Sequence, residues 1–378
     1  MGLAEIAFNN FLSDTYNMDA MSRGELEFPR ELPGFLVAAF AGLLFFWSEL
    51  KMAVLAMILM AVGLAGLGFY GDNYGLMLTS MIIWSIGMHL QMPVTKTISL
   101  QLAGKDKGAT MLGRLGGIRT GAAIVGGILL WMGLGETSLG YSPVFVLAAL
   151  VSLVGGYSYW VMRPIEGHTG NRPTFIMRKR YTLFYLLNIL FGARKQIFIT
   201  FGPWVLIKVF GEPVSTIAWL HLVASGIGMF FSPQLGKIID RFGERLVLMV
   251  DAVLLVGVCI GYGFAEGMGL GSMAVDIIYA SFVLDLVLFN VGIARTTYAS
   301  KISAKKDDLT ATLSLGITID HAVSMSIPTL GGLVWVVYGY QHVFIGAAIV
   351  ALLTLLATSF ITIPRPSSGQ LSQAEAAG

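Results

Sequence analysis

The sequence predicts an all-α integral membrane protein, a bundle of about twelve transmembrane helices in two six-helix halves. Three observations predict it. First, 56% of the residues are hydrophobic and only 12% charged, with a mean hydropathy of +0.76, whereas soluble domains carry about 25% charge. Second, twelve apolar runs broken by Gly, Pro or charge fall at residues 1–18, 23–47, 52–70, 75–97, 112–134, 142–162, 182–208, 214–238, 246–265, 271–294, 309–338 and 341–363. A helix needs roughly 20 apolar residues to cross the hydrocarbon layer. Backbone amides in lipid must be satisfied within their own segment, and these runs are too long for barrel strands, so each is read as a helix. Third, the longest polar connection, RPIEGHTGNRPTFIMRKRY at residues 163–181, separates six runs from six.

Taken in order, span 1 has no charged leader region and is interrupted by Glu5, Asn9 and Asn10, so it is not read as a cleaved signal. Span 2 opens on Arg23, Glu25, Glu27, Pro29, Arg30, Glu31 and Pro33. Its prolines predict a kink that frees carbonyls, and Arg23, Glu27 and Arg30 stand at pairing distance along a helix. Span 4 carries Trp84, His89, Gln91 and Lys96. Span 5 is glycine-rich, and Gly117-x-x-x-Gly121 has the spacing that lets helices touch backbone to backbone. Span 7 holds Arg194 and Lys195, span 10 Asp285, and span 11 Asp320 and His321. Cys259 in span 9 is the sole cysteine, which excludes an intrachain disulfide or a cysteine metal cluster. The expected domains are an N-terminal bundle at 1–162, a basic linker at 163–181, a C-terminal bundle at 182–363 and a tail at 364–378.

Of the 24 basic residues, all but Arg23, Arg30, Arg119, Arg194, Lys195 and Lys208 fall in segments on the side that would hold both termini, with Lys96 and Arg295 counted there. The positive-inside rule then places both termini, the linker and the tail in the cytoplasm, and the minimal loops fit a bacterial inner membrane.

Between spans 8 and 9 the chain reads Gly236-Lys-Ile-Ile-Asp240-Arg241-Phe-Gly243-Glu-Arg245. This resembles the G-x-x-x-D-R-x-G-R-R loop of the major facilitator superfamily. The resemblance implies a secondary transporter that moves a small solute by alternating access, with this loop as a latch of the outward-facing state and spans 1, 4, 7 and 10 around the cavity. The corresponding first-half loop, Gly42 to Lys51, lacks the aspartate, the arginine and the second glycine. Superposing Gly42 on Gly236 leaves span 1 without its first half, so an upstream start or a shortened first helix is expected. Span 5 carries something like the antiporter glycine motif without its proline, which leaves the direction of transport open.

An ionisable group at membrane depth costs about 3 kcal/mol or more unless it faces water or a partner, so each such group is a functional candidate. The candidate substrate-binding residues are Arg194, Lys195, Trp84, His89, Gln91, Arg119, Asn188 and Asn290. The candidate proton-coupling residues are Glu31, Asp285, Asp320 and His321. Neighbouring helix positions diverge by about 100°, so Arg194 and Lys195 face different ways, with Asp285 and Asp320 as their natural partners. Structural ion pairs and an anion site exchanging protons are both open readings of these charges. The basic excess of span 7 points to an organic anion, and the many aromatic and methionine residues also suit an amphipathic compound.

The sequence carries no HExxH, GxSxG, GxxxxGK[ST] or histidine-cysteine cluster, so no enzyme, ATP-driven pump, cofactor or metal is expected. Its scattered basic residues argue against a nucleic-acid partner. The partners implied are a small-molecule substrate and the lipid bilayer. The rival readings are a non-transporting sensor of the same fold and an intramembrane enzyme.

Overall fold

The computed structural model describes residues 2–16, 20–44, 46–103, 107–134, 140–163, 176–212, 214–269, 271–303, 305 and 308–363. The tail and most of the linker, and the side chains of Asn9, Asn10, Arg23, Glu25 and Glu27, lie outside what is described. The described residues form α1 (Gly2–Tyr16), α2 (Ala20–Phe35), α3 (Val37–Leu43), α4 (Glu49–Tyr70), α5 (Tyr74–Ala103), α6 (Gly108–Leu134) and α7 (Ser142–Trp160). After the linker come α8 (Thr182–Lys208), α9 (Val214–Phe242), α10 (Glu244–Phe264), α11 (Met273–Leu288), α12 (Gly292–Ile302), α13 (Asp308–Tyr338) and α14 (Tyr340–Ser359).

Two pairs of these helices are single spans. Leu36 forms a turn between α2 and α3, and bonds from Leu36 N to Leu32 O (3.0 Å) and Phe40 N to Leu36 O (3.1 Å) carry the helix through it. A 3₁₀ turn at Phe289–Val291 joins α11 to α12, giving twelve spans. Eight are long and apolar enough to cross a membrane, namely α4, α5, α7, α9, α10, α11 with α12, α13 and α14. The other four are the 15-residue α1 and the spans rich in charge or glycine, α2 with α3, α6 and α8.

The tenth span departs from its hydropathy. The apolar run ends at residue 294, yet the helix continues to Ile302 with Thr296, Thr297, Tyr298, Ala299 and Ile302 buried. Hydropathy marks where lipid contact ends, whereas helical hydrogen bonding continues as long as neighbouring helices cover the chain. Arg295 is therefore no loop residue, and neither is Lys96, which lies inside α5.

Helices α4, α5 and α7 pack together, as do α8, α13 and α14 and the pair α10 and α14. In the second group Tyr262 and Phe344 stack at 4.8 Å. Short α1, 15 residues against 27 in α8, packs edge-on through Phe8 to Trp84 and through Phe11 to Phe145. Its far end is tied by Tyr16 Oη donating to Gly71 O and Tyr141 Oη donating to Asp14. At the linker's end, Arg178 Nη1 lies 2.6 Å and Tyr181 Oη 3.0 Å from Asp308 Oδ2 at the start of α13.

The two groups meet along two seams, α6 against α9 and α2 with α3 against α13. The first is a backbone contact. A Cβ on Gly117 would lie 2.7 Å from Met229 O, one on Gly236 2.8 Å from Thr110 Cα, and one on Gly113 would collide with Ser232 O. Only glycine lets these helices approach so closely, and dispersion at such contacts holds helices together in lipid. In the second seam Ala38 N donates to Thr318 Oγ1 at 3.2 Å.

Candidate functional site

The loop between α9 and α10 sits where the two groups close on each other. α9 delivers Asp240 to the first turn of α6, where its two carboxylate oxygens accept from Ala109 N (3.1 Å) and Thr110 N (2.7 Å). These amides are among the four N-terminal donors that an α-helix leaves unpaired, and the helix dipole favours an anion there. Gly236 sits one turn before Asp240 and lets α9 lie on Ala109. Gly243 has φ +85°, which turns the chain from α9 into α10. Arg241 and Arg245 are exposed, with the Arg241 guanidinium 5.2 Å from the Phe242 ring centre.

A second acid does the corresponding job in the first half. Ser48 caps α4 by accepting from Lys51 N (3.4 Å), and the next residue, Glu49, is 4% exposed. Its carboxylate accepts from the Thr310 hydroxyl (3.2 Å) in the first turn of α13, and Thr310 also meets Thr97 Oγ1 at 3.1 Å. The loop that lacks the family aspartate thus places a carboxylate at the start of a helix in the other half.

Next to these contacts lies a group of charges. Arg194 on α8 bonds Asp285 on α11 at 3.0 Å, both about 5% exposed, with its guanidinium 4.9 Å from the Phe289 ring centre. Lys195, the next residue, meets Asp320 on α13 at 2.7 Å. The Arg295 guanidinium lies 3.4 Å from the Phe191 ring centre and donates to Asn188 Oδ1 at 3.4 Å. Arg194, Asp251 and Arg295 together line a small cavity of ≈ 20 Å³, room for about one water. Across the seam, Lys96 on α5 is within electrostatic reach of Arg295, Asp320, Arg119 and Lys195. Among the described residues neither Lys96 nor Arg295 has an ion-pair partner, so positive charge exceeds negative here.

About seven residues further along α5, on the order of 10 Å away from Lys96, a second cluster joins the two halves. Glu31 Oε2 on α2 stands 3.2 Å from His321 Nδ1 on α13 and 3.9 Å from His89 Nε2 on α5. Arg30 Nη2 lies 3.2 Å from the other Glu31 oxygen, and the two imidazoles meet edge to face at 5.0 Å. The Arg30 carbonyl in the proline-bearing helix accepts from Ser85 Oγ.

The structure therefore gathers Arg194, Lys195, Asn188, Asp285 and Asp320 into one group and Glu31, His89 and His321 into another. The remaining candidates meet other partners. Trp84 is buried against Phe8, and its Nε1 has no hydrogen-bond partner among the described residues. Gln91 Nε2 lies 3.3 Å from Met57 Sδ on α4. Asn290 donates to Val287 O within its own turn (2.9 Å), and Arg119 is exposed on α6. Arg295, Asp251 and Glu49 were missed as site residues. The signal for Arg295 was the helical register, since Thr296 to Ile302 read as loop only if every charge ends a span.

Among curated proteins, none matches the sequence. Three solved transporters share the fold. The E. coli fucose:proton symporter FucP has 14% identity and a TM-score of 0.76, covering 96% of each chain. A bacterial homologue of the iron transporter ferroportin in the outward-facing state has 13% identity and a TM-score of 0.75, covering 95% of this chain and 94% of that one. The human organic anion transporter MFSD10 has 12% identity and a TM-score of 0.65, covering 94% and 95%. The model of the Major Facilitator Superfamily matches residues 31–307 and again 184–378. With that match spanning both halves and the same helical architecture in all three structures, the chain belongs to the Major Facilitator Superfamily.

Proposed function

We propose that the chain is a secondary transporter that carries a small organic anion, a carboxylate or phosphate ester, across a membrane by alternating access. The observation that carries this reading is the excess of unpaired cations where the halves meet, Lys96 from one half and Arg295 from the other. Arg194 and Lys195 are neutralised by Asp285 and Asp320, so they shape the site, whereas Lys96 and Arg295, which has Asp251 beside it in the same cavity, make no ion pair among the described residues. A planar guanidinium stacked on Phe191 offers paired donors to a carboxylate or phosphate and loses little side-chain freedom on binding. The contacts of Asp240 with α6 and of Glu49 with Thr310 join the halves on one side of these cations and the Glu31–His321 contact joins them on the other, so a ligand reaches the site once one of these contacts parts. The lining comes from α5, α8 and α12, the fourth, seventh and tenth spans.

The test is uptake into proteoliposomes of a labelled panel of small carboxylates, phosphate esters and neutral sugars, with and without an imposed pH gradient to read the driving force. Arg295→Gln and Lys96→Gln should each abolish anion uptake in protein that remains folded. Uptake restricted to neutral solutes, or anion uptake unchanged in both variants, overturns the proposal.

A further inference from the structure

Glu31, His89 and His321 take no part in the anion site, and their arrangement has a chemistry of its own. We propose that they form a binding site for a late first-row divalent cation of the zinc type, bridging the two halves of the protein. One ligand atom from each residue lies within 4.8 Å of the other two, with the measured edges at 3.2 Å and 3.9 Å. Ligands about 2.0–2.1 Å from a tetrahedral zinc stand about 3.3 Å apart. One edge already has that length, and rotation of the side chains shortens the others.

Two further observations point to a cation. His89 Nδ1 faces the Ser85 carbonyl at 2.9 Å, and a carbonyl only accepts, so the proton sits on Nδ1 and the Nε2 lone pair is turned toward Glu31. A backbone carbonyl that fixes the tautomer of a ligating histidine is the usual outer partner at such sites. Gly34 supplies the space, since a Cβ there would stand 2.7 Å from both His89 Nε2 and His321 Nε2. The helix thus presents bare backbone where the two rings converge.

Two imidazoles and one carboxylate favour zinc and its neighbours over magnesium or calcium, which take oxygen ligands. Three protein ligands leave a fourth position for water. Arg30 opposes the cation, and at 24% side-chain exposure its charge is partly screened by water. Glu31 and His89 belong to the first half and His321 to the second, so an ion held by all three binds only while α13 lies against α2 and α5. By linkage, occupancy favours that arrangement over any in which the seam has parted.

The experiment uses untagged full-length protein, stripped with chelator and titrated with Co²⁺ and then Zn²⁺. One equivalent of Co²⁺ should produce a visible d–d absorption that Zn²⁺ displaces, and Zn²⁺ should raise the melting temperature. The isosteric Glu31→Gln, which keeps the packing, should weaken Co²⁺ binding at least tenfold, as should His89→Ala and His321→Ala where they fold. Gly34→Ala should weaken it too by forcing the rings apart, while His342→Ala at the start of α14 should leave it unchanged. Absence of the absorption, or an equal titration in wild type and Glu31→Gln, overturns the site.

Discussion

Removing the Asp240 carboxylate should loosen the contact between α9 and the start of α6 by a predictable amount. Its two bonds to Ala109 N and Thr110 N are made only while α9 lies on the start of α6. Hydrogen bonds to a charged group are worth about 1.5–3 kcal/mol each when buried, and an anion at a helix N-terminus about 0.3–1 kcal/mol. Asp240 is half-buried, and water replaces both bonds once the helices part, so solvent cuts the sum to a net of about 2 kcal/mol. That corresponds to about a 30-fold change in the ratio of closed to open molecules. Spin labels on Leu102→Cys in α5 and Ile238→Cys in α9, both exposed, report the separation by double electron-electron resonance, and the buried native Cys259 stays unlabelled. Asp240→Ala should shift weight to the longer distance by about that factor, and Asp240→Asn by less, since an amide oxygen still accepts one bond. A distance distribution identical to wild type in Asp240→Ala would refute the latch.

Gly236→Ala should act at the same place through sterics, because its methyl would meet Ala109 and Thr110 backbone; overpacking of this kind costs about 1–3 kcal/mol, and the same distance measurement should show the seam parted. Asp285→Ala should lower stability by about 3–5 kcal/mol in chemical or thermal denaturation, because it strands the buried Arg194 charge. The double variant Arg194→Ala with Asp285→Ala should recover part of that loss, and strict additivity would show that the two side chains are not coupled. Thr310→Ala, which removes the hydroxyl that Glu49 accepts from, should weaken the contact between the halves by about 1 kcal/mol; an effect on the label distances larger than that of Asp240→Ala would invert the ranking of the two contacts.

Several parts of this molecule were legible in the sequence because they depend on local patterns. Hydropathy delimits the spans since lipid contact is a property of consecutive residues, and the Gly236 to Arg245 loop is a contiguous motif. The divergence of Arg194 and Lys195 follows from helix geometry, and the structure pairs each with the aspartate expected, Asp285 and Asp320. Arg295 was hidden because its charge ends an apolar run while the helix does not end there. Glu49 was hidden because its partner, Thr310, is 261 residues away and no spacing rule joins them. The Glu31, His89 and His321 cluster draws one residue from each of three spans, and only the crossing of α2, α5 and α13 at Gly34 brings them together.

The glycine contact between α6 and α9 also bears on how such a molecule moves. Interlocked side chains resist sliding like the teeth of a gear, and parting them requires many rotamers to change together. Where Gly113, Gly117 and Gly236 expose bare main chain, there are few teeth to disengage. In the transport cycle proposed above the two helices would serve as a smooth bearing, tight enough to hold the halves in register and featureless enough to let one roll on the other, with the work of stopping that roll left to the carboxylates at its end.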